Sequence, residues 1–188
     1  MGETDEQLLG WSKADDPAAF IELFWRHGAA VHAYLARRTG REDADDLLSE
    51  VWLRAFKGRG SYDCRYPDAR PWLYGIARNV LRAHWREAAR PLAFTEEAAV
   101  DPWSDADRRL DAAAQVEMLR PTLATLSEDE REVLLLVVWE QLAPAEVAVT
   151  LGIPQGTARS RLHRALSALR CEVGADSSVL NHSYPKEA

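Results

Sequence analysis

Cysteine is nearly absent from this 188-residue chain, which contains only Cys64 and Cys171. Neither belongs to a Cys-x-x-Cys pair, and no cysteine and histidine residues have the spacing of a zinc site. We therefore expect two reduced, inert thiols rather than a disulfide framework. No metal ion and no cofactor are expected.

Long hydrophobic runs and targeting signals are also missing. The longest apolar run, Val133–Trp139, has seven residues, whereas a membrane-spanning helix needs about 20. Residues 1–5 lack the basic stretch and following apolar segment of a secretion signal. The sequence therefore predicts no membrane insertion and a cytoplasmic location.

Strand signals are scarce, because no Asn-Gly or Asp-Gly turn lies between alternating β-branched residues. Helical periodicity is present instead, with proline and capping residues at helix starts, among them a capping box at Ser127–Glu130, and with glycine at helix ends. The pattern predicts an all-α fold, with helices over residues 17–39, about 43–57, about 70–88, from 128 onward, from 144 to 151, and from 154 to about Cys171, the last closed by Gly174.

Positive charge is concentrated in two segments of an acidic chain. The net charge is −7, yet residues 54–90 contain nine Lys and Arg against three acids, a charge of +6, and residues 154–173 carry +3. The remainder therefore sums to −16. Two separate basic faces indicate contact with one polyanion at two places. The alternative is two ordinary solvated helix faces.

The segment between the two basic regions has a different composition. Residues 91–111 contain two prolines, six acids and only two arginines, and the periodicity stops there. This composition is typical of a linker. The predicted organisation is an N-terminal extension (1–16), a first domain (17–90), the acidic linker (91–111), a second domain (112–173) and a frayed tail (174–188).

The second domain ends in a helix-turn-helix pattern, with Leu151-Gly152 as the turn between two helices. In the second helix, Leu162, Leu166 and Leu169 mark a buried side. A major-groove helix would present the other side to bases and phosphates. That side holds Gln155, Arg159, Ser160, His163 and Arg164. A helical hairpin with a solvated polar face is the alternative.

Several segments together resemble one protein family. Leu126–Leu136, Ala145–Ala148 and Leu151–Leu166 resemble region 4 of bacterial RNA polymerase sigma factors of the extracytoplasmic-function group. In the first domain, Asp43–Phe56 resembles region 2.2 of these proteins, and Pro71–Leu81 resembles regions 2.3 to 2.4. The resemblance spans about residues 17 to 171. The two motifs in this order, joined by a short acidic linker, are far more specific than either alone.

The resemblance implies a sigma factor that binds core RNA polymerase and directs promoter recognition, strand opening and initiation. Polymerase binding would fall to the region 2.2 residues Asp46, Leu47, Ser49, Glu50 and Leu53. For Leu47 the alternative is a place in the core with Val51 and Trp52. The promoter's minus-ten motif would be read by Tyr62, Arg65, Tyr66, Arg78, Asn79, Arg82 and Arg86, with the aromatic rings stacking on an unpaired base. The minus-thirty-five motif would be held by Gln155, Thr157, Arg159, Ser160, His163 and Arg164. Members of the group are commonly inhibited by an anti-sigma factor. Apart from these partners the chain is expected to be monomeric.

Two other functions are consistent with parts of the sequence. A stand-alone transcriptional regulator would use only the helix-turn-helix, and it would bind duplex DNA tightly without polymerase. A metal-dependent nuclease would use the acids of the second helix, namely Glu42, Asp43, Asp45, Asp46 and Glu50. No basic nucleophile-activating partner accompanies those acids, so we do not expect an enzyme.

Overall fold

The computed structural model describes residues 3–14, 16–88, 123 and 125–180. Within these ranges the chain forms helices and no strand, which confirms the all-α prediction. The helices are α1 (Asp5–Lys13), α2 (Pro17–Thr39), α3 (Arg41–Gly58), α4 (Arg70–Ala88), α5 (Glu128–Val138), α6 (Pro144–Leu151) and α7 (Gln155–Leu180). No helix in this part of the chain is long and apolar enough to cross a membrane. The predicted linker, residues 91–111, lies outside the described residues.

The chain divides into two compact units. The first contains α1 to α4, and the second contains α5, α7 and most of α6. In the first unit, α2 packs against α1, α3 and α4, and α3 also packs against α4. In the second unit, α5 packs against α7.

Helix α1 lies inside the segment that the sequence analysis treated only as an N-terminal extension. Thr4 and Gln7 form a capping box at its start: the Gln7 N–H donates to Thr4 Oγ1 at 3.3 Å, and the Thr4 N–H donates to Gln7 Oε1 at 2.9 Å. Leu8 and Leu9 are buried, and the helix packs against α2. The Thr-x-x-Gln pattern was the available sequence signal for this helix.

Helix α2 begins and ends as the sequence predicts. Asp16 Oδ1 accepts from the Ala18 N–H at 3.0 Å, Pro17 occupies the first turn, and Gly40 follows the helix with φ of 87°. Phe24 is half-buried, and the buried side of the helix includes the apolar residues Phe20, Leu23, Val31, Tyr34 and Leu35. This helix therefore supplies the centre of the first unit's core.

Helices α3 and α4 complete that core through aromatic contacts. The Phe20 ring of α2 meets Trp52 and Phe56 of α3 edge to face, at 5.6 and 5.2 Å between ring centroids. Tyr34 of α2 lies 5.1 Å from Tyr74 of α4. Such pairs stabilise a core beyond their buried area. Helix α4 spans the predicted residues, and α3 begins two residues earlier than predicted.

The second unit is built around α5 and the first half of α7. The predicted capping box is confirmed, because Ser127 Oγ accepts from the Glu130 N–H at 3.3 Å and the Glu130 carboxylate accepts from the Ser127 N–H at 3.3 Å. Buried Leu126, Leu134 and Ala165 form the core, and the three leucines predicted for α7 pack against it. Gly152, with φ of 64°, forms the predicted turn before α7.

The predicted end of the last helix is wrong. It was expected near Cys171, closed by Gly174, but α7 continues through Gly174 to Leu180. Glycine inside a helix costs only about 1 kcal/mol relative to alanine, and no proline follows to interrupt the hydrogen bonds. The frayed tail predicted from 174 therefore does not apply to residues 174–180.

Candidate nucleic-acid and partner interfaces

Helix α7 has a buried side and an exposed polar side. Ala158 and Ala165 are completely buried, and they fix which side faces the core. The residues predicted to contact DNA lie elsewhere on the helix: Gln155, Arg159, Ser160, His163 and Arg164 are exposed, and Thr157 is half-buried. These residues present a polar surface along about three turns of the helix, and the major groove of B-DNA is wide enough to admit an α-helix.

Two arginines of α7 form ion pairs with the acidic first turn of α5, which the sequence analysis did not foresee. Arg161 Nη2 lies 2.6 Å from Asp129 Oδ2, and Arg164 Nε lies 2.8 Å from Glu130 Oε1. The side chain of Arg161 is 21% exposed, whereas that of Arg164 is 61% exposed. Hydrogen bonds from Ser127 and the charge of Arg164 hold the pKa of Glu130 below its ordinary value.

Helix α4 carries a second exposed basic surface. Asn79, Arg82 and Arg86 are exposed, and their spacing of i, i+3 and i+7 places them on one face of the helix. Arg86 Nε donates to the Arg82 carbonyl at 3.1 Å, which turns part of that side chain back along the helix. Arg78 is half-buried beside this face.

The loop before α4 differs from the prediction at Tyr62. This ring is only 5% exposed, it lies edge-on to Trp72 at 5.5 Å, and its hydroxyl donates to the Tyr66 carbonyl. Burial raises the pKa of the Tyr62 hydroxyl. Because Tyr62 is almost completely buried, the expectation that its ring stacks on an unpaired base is wrong.

The other predicted residues of this loop are accessible. Tyr66 is half-buried, and the side chain of Arg65 is 85% exposed. Arg65 forms a fork with Asp63, with Nη2 2.6 Å from Oδ2 and Nε 3.0 Å from Oδ1. This pairing lowers the pKa of Asp63. Cys64, which lies between Asp63 and Arg65 in the sequence, is exposed and forms no disulfide.

Helix α3 presents four of the five residues predicted to bind polymerase. Asp46, Ser49 and Leu53 are exposed, and Glu50 is half-buried in an ion pair with Arg54, 2.6 Å between Oε1 and Nε. Leu47 is only 9% exposed. It lies one turn from Val51 on the buried side of the helix, so its assignment to the interface is corrected to the core.

An exposed apolar surface adjoins this helix and was missed by the sequence analysis. Trp25 and Ile21 of α2 are 73% and 55% exposed, and Phe56 of α3 is 37% exposed. The Trp25 ring lies 5.5 Å from Phe24, which itself lies 5.1 Å from Trp52 of α3. The i, i+4 spacing of Ile21 and Trp25, outside the buried stripe of α2, was the sequence signal.

A buried carboxylate joins three elements of the first unit. Asp5 Oδ1 accepts from Arg26 Nη1 at 2.7 Å, and Oδ2 lies 2.7 Å from His27 Nε2 and 2.9 Å from the Ala69 N–H that precedes α4. Burial alone raises the pKa of Asp5, but the hydrogen bonds from His27, Ala69 and Arg26 outweigh burial, so the pKa lies below its ordinary value. The network ties α1 to α2 and to the start of α4.

Asp5, His27 and Asp68 are also close enough to hold a metal ion, since one potential ligand atom from each lies within 4.8 Å of the others. Both Asp68 oxygens already accept from Arg70, at 2.8 Å from its N–H and 2.7 Å from Nη2. The donors around both aspartates therefore suit a hydrogen-bond network better than a cation. The acids of the nuclease alternative form no such group among the residues described.

Comparisons with known proteins decide the family. The Sigma-70 region 2 family matches residues 23–91, and the Sigma-70 region 4 family matches residues 117–169. The ECF RNA polymerase sigma factor SigM of Mycobacterium tuberculosis is 36% identical over 182 residues, covering 95% of this chain and 89% of that protein. The chain belongs to the ECF sigma factors.

Solved structures of sigma factors share the fold. CnrH, in complex with the cytosolic domain of CnrY, superposes with a TM-score of 0.63 at 24% identity, covering 93% of this chain and 99% of that one. RpoE of Bartonella quintana, in complex with the anti-sigma factor NepR, gives a TM-score of 0.59 at 22% identity, covering 84% and 98%. The predicted two-domain sigma fold is thereby confirmed.

Family membership also settles the general function of this ECF sigma factor, which is to direct RNA polymerase to promoters and initiate transcription. The alternative of a stand-alone regulator finds no support in these matches. Sigma factors as a class act in initiation without being enzymes. The domain boundaries at 17–90 and 112–173 and the roles of single side chains stay predictions.

Proposed function

We propose that the second domain, residues 112–173, holds the minus-thirty-five motif through the polar side of α7. The observation that carries this proposal is the exposure of Arg159, Ser160 and His163 opposite the buried alanines. Gln155, Thr157 and Arg164 flank them. Base contacts from this helix would fix the register of the whole protein on the promoter.

We propose that the first domain, residues 17–90, reads the minus-ten motif and helps to open it. Asn79, Arg82 and Arg86 supply an amide edge and two positive charges on one exposed face, with Arg78 beside them. Arg65 and the half-buried ring of Tyr66 lie in the loop before α4. An unpaired base held by such groups stays out of the duplex stack, and the cations neutralise the phosphates of the separated strand.

We propose that core polymerase binds the exposed side of α3, through Asp46, Ser49, Glu50 and Leu53. Support comes from the adjoining apolar surface of Ile21, Trp25 and Phe56, because exposed apolar side chains next to polar ones are typical of protein interfaces. An anti-sigma factor is proposed as a further partner, since the RpoE structure contains one. Both interactions imply a cytoplasmic protein.

Run-off transcription with core polymerase on genomic fragments tests the promoter assignments. We expect Asn79→Ala and Arg159→Ala each to reduce initiation about tenfold or more. A template mispaired over the minus-ten motif should rescue Asn79→Ala, because strand opening is already complete, and should not rescue Arg159→Ala. Arg41→Ala is the control, since it removes an exposed arginine at the start of α3. Absence of initiation by the wild type on every fragment would refute the function.

Co-elution with core polymerase tests the α3 surface. Leu53→Asp places a charge in the proposed interface, and we expect at least tenfold weaker binding. Val138→Asp is the matched control, because Val138 is 51% exposed, close to the 47% of Leu53, and lies outside this surface. Equal binding by both variants would exclude Leu53 from the interface.

A further inference from the structure

Glu130 contacts the start of its own helix and the recognition helix at the same time. Its Oε2 accepts from Ser127 Oγ at 2.8 Å and from the Ser127 N–H at 3.3 Å, while its Oε1 lies 2.8 Å from Arg164 Nε. Both carboxylate oxygens are therefore used. The side chain of Glu130 is 19% exposed, so the carboxylate is held in place close to the protein surface.

The pairing through Nε leaves one edge of the Arg164 guanidinium available. Arginine carries its N–H donors in a planar fork, and the two terminal nitrogens form the edge opposite Nε. Among the described residues Glu130 is the ion-pair partner of Arg164, and it is approached through Nε. The side chain is 61% exposed, so that free edge is accessible from solvent.

A paired arginine favours a base over a phosphate. The carboxylate of Glu130 offsets much of the positive charge that would attract a phosphate, and it also repels the phosphate directly. Arg164 can still donate directional hydrogen bonds to two uncharged acceptor atoms that lie side by side. Guanine presents two such acceptors, O6 and N7, in the major groove. Holding the side chain before binding also reduces the rotamer entropy lost on contact.

We propose that Glu130 is a positioning residue for promoter recognition, which orients Arg164 so that its free edge binds one guanine of the minus-thirty-five element. This inference rests on the proposed function of α7. It adds a residue of α5, outside the helix-turn-helix, to the determinants of promoter sequence.

The neighbouring pair, Arg161 with Asp129, provides a control from the same two helices. Its ion-pair distance is similar, at 2.6 Å, but the side chain of Arg161 is only 21% exposed. This pair therefore joins α5 to α7 without presenting a comparable edge to DNA. Asp129→Ala removes a carboxylate one residue away from Glu130 and leaves the anchor of Arg164 in place.

The experiment uses holoenzyme and a duplex fragment on which the wild type initiates, with each base pair of the minus-thirty-five element replaced in turn. The measured quantity is the ratio of affinities for the original and substituted duplex, which cancels the general effect of a changed protein charge. We expect Arg164→Ala to reduce this ratio about tenfold at one G·C pair. Glu130→Ala should reduce it about threefold at the same pair, and should add nothing in the Arg164→Ala background.

Glu130→Gln separates positioning from folding. Its single amide oxygen can still accept from Ser127 and preserve the cap, but its NH₂ group cannot accept from Arg164 Nε. We expect an unchanged melting temperature and the same loss at the same base pair. Asp129→Ala should leave the ratio at every pair within about twofold of the wild type.

Three outcomes would overturn the inference while leaving the proposed function intact. The first is a loss from Glu130→Gln spread evenly over all base pairs, and the second is a loss that persists without Arg164. The third is an Arg164→Ala variant that weakens every duplex equally, as expected for a phosphate contact. Failure of the wild-type holoenzyme to initiate on any fragment would overturn the proposed function and this inference together.

Discussion

At the scale of single residues, Asp5 is expected to contribute strongly to stability. Its carboxylate is nearly buried and accepts from Arg26, His27 and the Ala69 N–H. Asp5→Asn removes the charge and leaves these donors poorly matched, so we expect the free energy of unfolding to fall by about 2–3 kcal/mol. Urea denaturation followed by tryptophan fluorescence measures the change, because five of the seven tryptophans precede residue 89.

Asp45→Asn is the matched control for that measurement. Asp45 also pairs with a histidine, His32, at 3.0 Å, but its side chain is 77% exposed. Exposed pairs contribute little because water screens them, so the expected change is below about 0.5 kcal/mol. Equal losses from the two substitutions would show that the buried network is not what stabilises the first unit.

Asp5 is also expected to make the stability of the fold depend on pH. The pKa of Asp5 in the folded chain lies below its ordinary value of 3.8. The stabilisation from ionised Asp5 is therefore complete above pH values near the unfolded pKa, and it is lost as pH falls through the folded pKa. We expect the difference in unfolding free energy between wild type and Asp5→Asn to be constant near neutrality and to shrink below about pH 4. A difference that stays constant to pH 2 would contradict this.

At the scale of secondary-structure elements, α1 is expected to be an integral part of the first unit. Leu9 is completely buried, so Leu9→Ala should lower the free energy of unfolding by about 3 kcal/mol. Its neighbour Gly10 is exposed, and a Cβ there meets nothing within 4 Å. Gly10→Ala should therefore raise stability by about 0.5–1 kcal/mol. Chemical denaturation of both variants should give opposite signs.

Two glycines at the start of α7 are expected to respond differently to replacement by alanine. Gly152 has φ of 64°, whereas Gly156 is in the first turn of α7, and neither has any atom within 4 Å of an added Cβ. Gly152→Ala should cost about 1 kcal/mol through backbone strain alone. Gly156→Ala should not destabilise, because alanine favours a helix. Thermal unfolding distinguishes the two, and equal melting temperatures would rule out strain at the turn.

The accuracy of the sequence-based predictions depends on how far apart in the sequence the interacting residues lie. The bounds of α4 and the start of α5 depend on local periodicity and on the Ser127–Glu130 capping box, and both were predicted correctly. The burial of Tyr62 depends on Trp72, and the anchoring of Arg164 depends on Glu130, 34 residues away. Contacts between segments so far apart in the chain leave no local pattern, so these features required the structure.

At the scale of the whole molecule, the distribution of charge governs binding to DNA. The chain has a net charge of −7 although each of the two segments proposed to contact DNA is positive. Non-specific affinity depends on the phosphates that a protein neutralises, and it is reduced by acids close enough to act within a Debye length. An acidic remainder therefore disfavours binding of the free sigma factor to arbitrary DNA, while short-range contacts made in the holoenzyme are affected less.

The acids of the segment between the two domains test this effect. Residues 91–111 contain six acids, namely Glu96, Glu97, Asp101, Asp105, Asp107 and Asp111. Replacing all six by amides changes the net charge of the chain from −7 to −1. We expect the affinity of the free chain for a duplex of random sequence to rise about tenfold at low salt. The increase should vanish near 1 M salt, where the Debye length falls to about 3 Å. Sequence discrimination by the holoenzyme should not change, because the replaced residues lie outside α4 and α7. Unchanged affinity at low salt would show that the acids of this segment do not weaken non-specific DNA binding by the free protein.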